Sequence, residues 1–201
     1  MVQRIMSRLE DRKVGVLAIQ GDYARHKHQL DQLGVITVLV RLKADLEQLD
    51  AIIIPGGEST TMDIMLDRFG LREPLQQFGR SKPVFGTCAG MIMLASKIKD
   101  NLSKVTPLGL MDIDINRNGY GRQVHSFEKT IEANLAGKYT KLTATFIRAP
   151  IVTRVGSEVI SLATYEGDPV LVRQDNLLTA SFHTELDDDT SLLEYFLNEV
   201  R

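Results

Sequence analysis

The chain has 201 residues, with 24 Lys+Arg against 26 Asp+Glu for a formal charge of −2, and it is 43% hydrophobic and 25% charged. These proportions are ordinary for a globular protein and exclude a disordered or collagenous chain, while the charge balance argues against a nucleic-acid partner. The single cysteine, Cys88, excludes an intramolecular disulfide, and no apolar run approaches the ~18 residues of a membrane span, so a cytoplasmic protein with no membrane association is expected.

Residues 1–12 carry Arg4, Arg8, Glu10, Asp11 and Arg12 without the continuous apolar region of a secretory signal. They read as an N-terminal extension, with Met6 an alternative start, ahead of one domain over residues 13–201. Val14 to Ile19 is a near-continuous apolar run of strand length, the pattern of a strand buried on both faces. Tyr23 to Leu33 reads as a polar helix closed by Gly34, Val35 to Val40 as a second strand, and Lys43 to Leu49 as a short helix. The β-branched run Ala51 to Ile54 is a third strand, ending at Pro55-Gly56-Gly57. Two helical pieces follow, Thr60 to Phe69 and Arg72 to Phe78. A fourth strand, Pro83 to Gly86, enters Thr87-Cys88-Ala89-Gly90, and Met91 to Ile98 reads as helix. This alternation predicts an α/β domain of three layers, with a mixed, mainly parallel central sheet flanked by helices and its strand C-termini along one ligand-binding edge.

The second half is strand-rich: 112–115, 130–133, 142–147, 159–163, 170–172 and 177–182 are short and partly antiparallel. An amphipathic helix closes the chain, with Asp187, Asp188, Asp189 and Thr190 supplying caps and Leu192, Leu193, Phe196, Leu197 and Val200 an apolar face.

Taken alone, Cys88 reads as a small buried hydrophobe. Its setting, Gly86-Thr87-Cys88-Ala89-Gly90 between a buried strand and a helix, matches instead the turn on which a nucleophile is presented. The helix N-terminus would favour a thiolate and offer N–H groups to an oxyanion. A thiol nucleophile needs a base. His26 and His28 lie two apart on a polar helix and read as solvated surface, and His125 lies in a polar stretch without an evident partner. His183 follows an apolar strand and so emerges on the edge that carries Cys88, and Glu185, two residues on, points the same way in extended chain and can orient the imidazole. The rival reading of His183-Thr184-Glu185 is an ordinary polar loop. Metal ligation is disfavoured, because the lone cysteine and the histidine spacing supply no recognised ligand set. Pro55-Gly56-Gly57-Glu58-Ser59-Thr60 lacks the lysine of a phosphate-binding loop, but its glycines let backbone N–H groups approach a reacting centre closely.

At these residues the chain resembles the class I (triad) glutamine amidotransferases, whose fold is flavodoxin-like, and within them the glutaminase subunits of pyridoxal 5′-phosphate synthases. The resemblance is carried by Gly15 to Gly21, Pro55 to Met62 and Phe85 to Met91. It continues in Arg117-Asn118 with Gly121-Arg122-Gln123, in Phe146 to Pro150, and in Phe182 to Leu186. It implies hydrolysis of L-glutamine to glutamate and ammonia by Cys88, His183 and Glu185 through a thioester, without cofactor or metal. Gly57, Glu58, Ser59, Arg117, Ile147 and Arg148 would bind substrate, and the N–H groups of Gly57 and Ala89 would form the oxyanion hole. The implied partner is the synthase subunit, in a large hetero-oligomeric complex that receives the ammonia for vitamin B6 synthesis. The family resemblance also implies low activity until the partner docks. The alternatives are a glutaminase of the imidazole glycerol phosphate synthase type, which the Arg117-Asn118 and Ile147-Arg148-Ala149-Pro150 segments disfavour, or a degenerate regulatory subunit. Two positions depart from the family pattern: Thr184 replaces a usual proline between His183 and Glu185, and His125 stands where an acidic residue is expected.

Overall fold

The computed structural model describes residues 11–100, 102, 104–117, 119 and 126–201. The readings made above for residues 1–10, Asn118, Gly121, Arg122, Gln123 and His125 lie outside them. In chain order, β1 (Lys13–Leu17) leads to α1 (Tyr23–Gln32), β2 (Ile36–Val40), a 3-10 turn (Lys43–Leu46) and β3 (Ala51–Ile54). Then come α2 (Ser59–Arg68), α3 (Arg72–Gly79), β4 (Val84–Thr87), α4 (Ala89–Leu94) and β5 (Ala95–Ile98). The second half holds β6 (Met111–Asn116), β7 (Ser126–Leu135), β8 (Lys138–Ile147), β9 (Ile151–Val155), β10 (Ile160–Tyr165), β11 (Asp168–Gln174), β12 (Leu177–Ala180) and α5 (Ser191–Glu199).

Seven strands form the central sheet in the order β10-β11-β12-β4-β3-β1-β2. The pairs β2–β1, β1–β3, β3–β4 and β4–β12 are parallel, and β12–β11 and β11–β10 antiparallel. The first four strands thus take the 2-1-3-4 order of the flavodoxin-like fold. The fifth place goes to β12, which comes from the far end of the chain. Because successive strand residues face opposite sides, Ile53 joins one core and Ile52 and Ile54 the other. The first core unites Val14, Val16, Phe85 and Phe182 with α1 and α5, Phe85 and Phe196 packing with ring centroids 5.5 Å apart. The second unites Leu17 and Val84 with α2, α3 and the wholly buried α4. These are the three expected layers. Arg12 is already tied to the body: its carbonyl accepts the Ile36 N–H at 3.0 Å, and its guanidinium donates to the Leu197 carbonyl.

Three local expectations are corrected. The helix expected over Met91 to Ile98 ends at Leu94, and Ala95 to Ile98 forms β5, parallel to β6. Residues of fair helix propensity are overridden here by pairing, Ala95 being extended at ψ 151°. No strand was expected at Ile151 to Val155, yet its β-branched residues pair β9 with β6. The short strands expected at 130–133 and 142–147 are parts of a regular hairpin of ten-residue strands, closed at Ala136-Gly137 with positive φ at both.

Candidate active site

The parallel alignment of β3, β4 and β12 brings three chain segments level. Ile54 is in register with Gly86, and Thr87 with Ala180, so the residues just past these strands share one edge. Cys88 sits there at the junction of β4 and α4. Its N–H donates to the Ala180 carbonyl at 2.8 Å, and its backbone has φ 48° and ψ −101°. A non-glycine residue in such a region carries strain of order 1–3 kcal/mol, and it persists only when its surroundings enforce it. Here both ends are held: β4 is sandwiched between two strands, and Gly90 packs so closely on the Ile54 carbonyl that a side chain would collide with it. Sγ lies 3.8 Å from the Ile147 carbonyl. As N-cap of α4, Cys88 lies beside helix N–H groups that have no intrahelical partner, beginning with Ala89.

His183 follows β12. Its N–H donates to the Thr145 carbonyl at 2.8 Å, an isolated bridge that joins the segment to β8. Its Nδ1 lies 2.6 Å from Glu185 Oε1, which leaves Nε2 as the ring nitrogen available to the thiol. Burial opposes a charged ring, but contact with Cys88 and the bond to Glu185 outweigh it and raise the His183 pKa to about 10. Burial likewise opposes a charged Glu185, yet His26 and His183 hold it below the usual carboxylate range. The orienting carboxylate therefore stays ionised through the neutral range. The segment around Thr184 is tied to α1. Gln29 Nε2 donates to the Thr184 carbonyl at 3.0 Å and to the Asp187 carbonyl at 2.9 Å.

The third strand end delivers Gly56 and Gly57. A Cβ on Gly56 would collide with His183 Cε1 and lie 2.9 Å from its Nδ1 and 3.4 Å from Cys88 Cβ, so glycine is what lets the loop touch both groups. The Gly56 carbonyl accepts the Asp22 N–H at 3.2 Å, and the Glu58 N–H donates to Gln20 Oε1 at 3.1 Å.

These groups border a cleft of about 170 Å³ lined by Gly57, Glu58, Ser59, Cys88, Ile92, Arg117, Ile147, Arg148 and His183. That is room for a small molecule. The Arg117 guanidinium donates to Thr60 Oγ1 at 3.1 Å and Glu58 Oε1 at 3.4 Å, while its Nε–H is buried without a partner among the described residues. Arg148 is exposed at the rim with φ 46°. Among the described residues no three His, Cys, Asp or Glu side chains are arranged to hold a metal ion, and no helix is long and apolar enough to cross a membrane.

Glu58 lines the cleft but also caps α2, its carboxylate accepting from Thr60 N and Thr61 N. Burial opposes the carboxylate, but these bonds together outweigh it and hold its pKa below the ordinary 4.5. The stabilisation is therefore present above pH 4.5 and is lost as pH falls through the lower, folded value. Glu58→Ala should cost about 1 kcal/mol at pH 7, and urea titrations at falling pH should show its gap from wild type closing below about 4.5.

Of the sequence-read residues, Cys88, His183 and Glu185 are brought together, Gly57, Glu58, Ser59, Arg117, Ile147 and Arg148 border the same cleft, and Ala89 opens α4 beside Cys88. His26 is a correction. It is not solvated surface but fully buried, with Nε2 3.1 Å from Thr87 Oγ1 and 3.5 Å from Glu185 Oε2. His28, two residues on, lies on the exposed side of α1 within 3.4 Å of Gln32. The C-terminal helix is capped through Asp189, which accepts from the Ser191 N–H at 2.8 Å; the N-cap Thr190 side chain does not cap.

Residues 16–201 match the model of the SNO glutamine amidotransferase family. The chain is 48% identical over 190 residues to the pyridoxal 5′-phosphate synthase subunit PdxT of Thermosipho africanus, covering 94% of this chain and 99% of that protein. It is 46% identical to the subunit of the same name from Thermotoga maritima, over 94% and 100% of the two chains. Among solved structures, one described as a glutamine amidotransferase superposes with a TM-score of 0.85 at 43% identity, covering 92% of this chain and 96% of that one. The PurLQS structure from Thermotoga maritima shares the fold at a TM-score of 0.68 and 16% identity, over 96% and 100% of the two chains.

Proposed function

The chain belongs to the SNO glutamine amidotransferase family, and from that premise we propose that it is the glutaminase subunit of a pyridoxal 5′-phosphate synthase, hydrolysing L-glutamine to glutamate and ammonia. The observation that carries this reading is Cys88 on its strained turn, with His183 held at 2.6 Å by Glu185 on the edge of the same small cleft. The names of the relatives favour the vitamin B6 branch over other triad glutaminases.

In this reading His183 Nε2, kept protonated by its raised pKa, already holds the proton of the Cys88 thiol as Sγ attacks the side-chain amide carbon, and the imidazolium gives that proton to the departing ammonia. Glu185 holds Nδ1–H and stabilises the imidazolium. The tetrahedral oxyanion is met by the N–H groups of Gly57 and Ala89. A thioester remains, which water hydrolyses with His183 now acting as base. That Arg117 lines the cleft supports a role for its guanidinium on the substrate carboxylate through a charge-assisted bond. Arg148 and Ile147 line the same cleft, with Glu58 and Ser59 at the loop.

The partner is the synthase subunit, in a large hetero-oligomeric complex. Because the Gly56 carbonyl is tied to Asp22 by a single long hydrogen bond, reorienting the Gly56–Gly57 peptide costs little, and partner docking can aim its N–H at the oxyanion. The test is ammonia and glutamate release with and without the synthase subunit. The isolated chain should be slow, with addition of partner raising the rate by about tenfold or more. Fast turnover without partner would overturn the switch, and no turnover in either state would overturn the glutaminase reading.

A further inference from the structure

One buried titratable pair is left over by the mechanism. Glu185 spends Oε1 on His183, while among the described residues Oε2 is buried without a hydrogen-bond partner, as is Nδ1 of His26. The two residues face each other: His26 Nε2 lies 3.5 Å from Glu185 Oε2 and 3.1 Å from Thr87 Oγ1, and both side chains are fully shielded from solvent. A buried carboxylate oxygen without a hydrogen-bond partner is costly, and here it lies 3.5 Å from a buried imidazole nitrogen.

We infer that His26 is a positioning residue for the hydrolytic triad, its Nε2–H shared between Glu185 Oε2 and Thr87 Oγ1 so that the carboxylate is clamped from both sides. Three observations support the inference beyond the distance. α1 is anchored over the same segment by Gln29, one turn along on the same face, whose amide grips the Thr184 and Asp187 carbonyls. Thr87 is the residue before the nucleophile, so the clamp links the strand bearing Cys88 to the segment bearing Glu185. Burial drives the His26 pKa down, only partly opposed by Glu185, so the ring is neutral and carries one N–H. Placing that proton on Nδ1 would bury an unpaired donor and turn a lone pair toward Glu185 Oε2; placing it on Nε2 satisfies both neighbours. The charged and titratable groups acting on this pair are His183, beyond Glu185, and Asp22, at the start of α1.

The role presupposes the glutaminase reading, so the test joins turnover to a readout that needs no glutamine. With the synthase subunit present, His26→Phe, which fills the volume without a donor, should lower kcat about 10- to 100-fold with KM changed by less than about threefold. The acid limb of its kcat/KM profile should move up by about one pH unit as Glu185 loses a donor to its charged form. His26→Gln, whose amide nitrogen reaches the place of Nε2, should recover most of the rate and the limb. In the isolated chain, iodoacetamide alkylation of Cys88 against pH should shift in the same way for His26→Phe and return for His26→Gln. A folded His26→Phe with wild-type rate and both wild-type profiles overturns the positioning role, as does a His26→Gln no better than His26→Phe. If His26→Phe does not fold, nitrogen-15 spectra of histidine-labelled wild type decide: a neutral Nε2–H tautomer at His26 supports the clamp and Nδ1–H overturns it. Wild type that alkylates as described but never releases ammonia would keep the clamp and overturn the glutaminase reading.

Discussion

Cys88→Ala should reduce glutamine hydrolysis by at least about 10³-fold in the presence of the synthase subunit, because no other described side chain in the cleft can form the thioester. Cys88 is the only cysteine in the chain, so no neighbouring thiol can substitute. The replacement loses one sulfur atom from a nearly buried position, and the fold should survive it. Alanine also accepts the φ of 48° no better than cysteine does, so the strained turn is kept and backbone relaxation does not confound the result. The measurement is glutamate release alongside thermal unfolding. A folded Cys88→Ala retaining a tenth of wild-type activity would show that the thiol is not the nucleophile.

Gly56→Ala should be almost as damaging, by a different route. The added methyl would overlap His183 Cε1 and crowd Nδ1 at 2.9 Å, and the ring cannot retreat without stretching its 2.6 Å bond to Glu185. Displacing a catalytic base by about 1 Å costs on the order of 100-fold. The loss should fall mainly on kcat, since Arg117, proposed to hold the substrate carboxylate, lies on another segment. Steady-state kinetics on Gly56→Ala, with circular dichroism to confirm folding, reads this directly. A kcat within threefold of wild type would mean that the loop moves freely away from the imidazole.

Much of this architecture is legible before any coordinate is seen, for identifiable reasons. Buried parallel strands announce themselves as apolar runs, so Val14 to Leu17 and Ala51 to Ile54 stand out, and glycines mark where those runs must turn sharply. The juxtaposition of Cys88 and His183 follows once both are placed after parallel strands, because such strands end on one edge. What is illegible depends on partners far away in sequence. Ala95 to Ile98 is a strand only because β6 lies beside it, and nothing local says so. His26 is hidden for another reason: the inward stripe of α1 is polar where it meets the catalytic segment. Residues 26, 29, 30 and 33 keep the helical i, i+3, i+4, i+7 spacing, and His26, Gln29 and Leu30 are buried. Reading that spacing without insisting on apolar residues finds both His26 and Gln29.

The place of β12 bears on the order in which the molecule is made. A strand from late in the sequence is inserted in the sheet between β4 and β11, and the segment that follows it brings His183 and Glu185 to the edge that holds Cys88. Contacts of such long sequence separation form late in folding. A chain that stops short of β12 therefore holds Cys88 without His183 and Glu185 beside it. On the proposed function, a chain that stops short of β12 should release no ammonia.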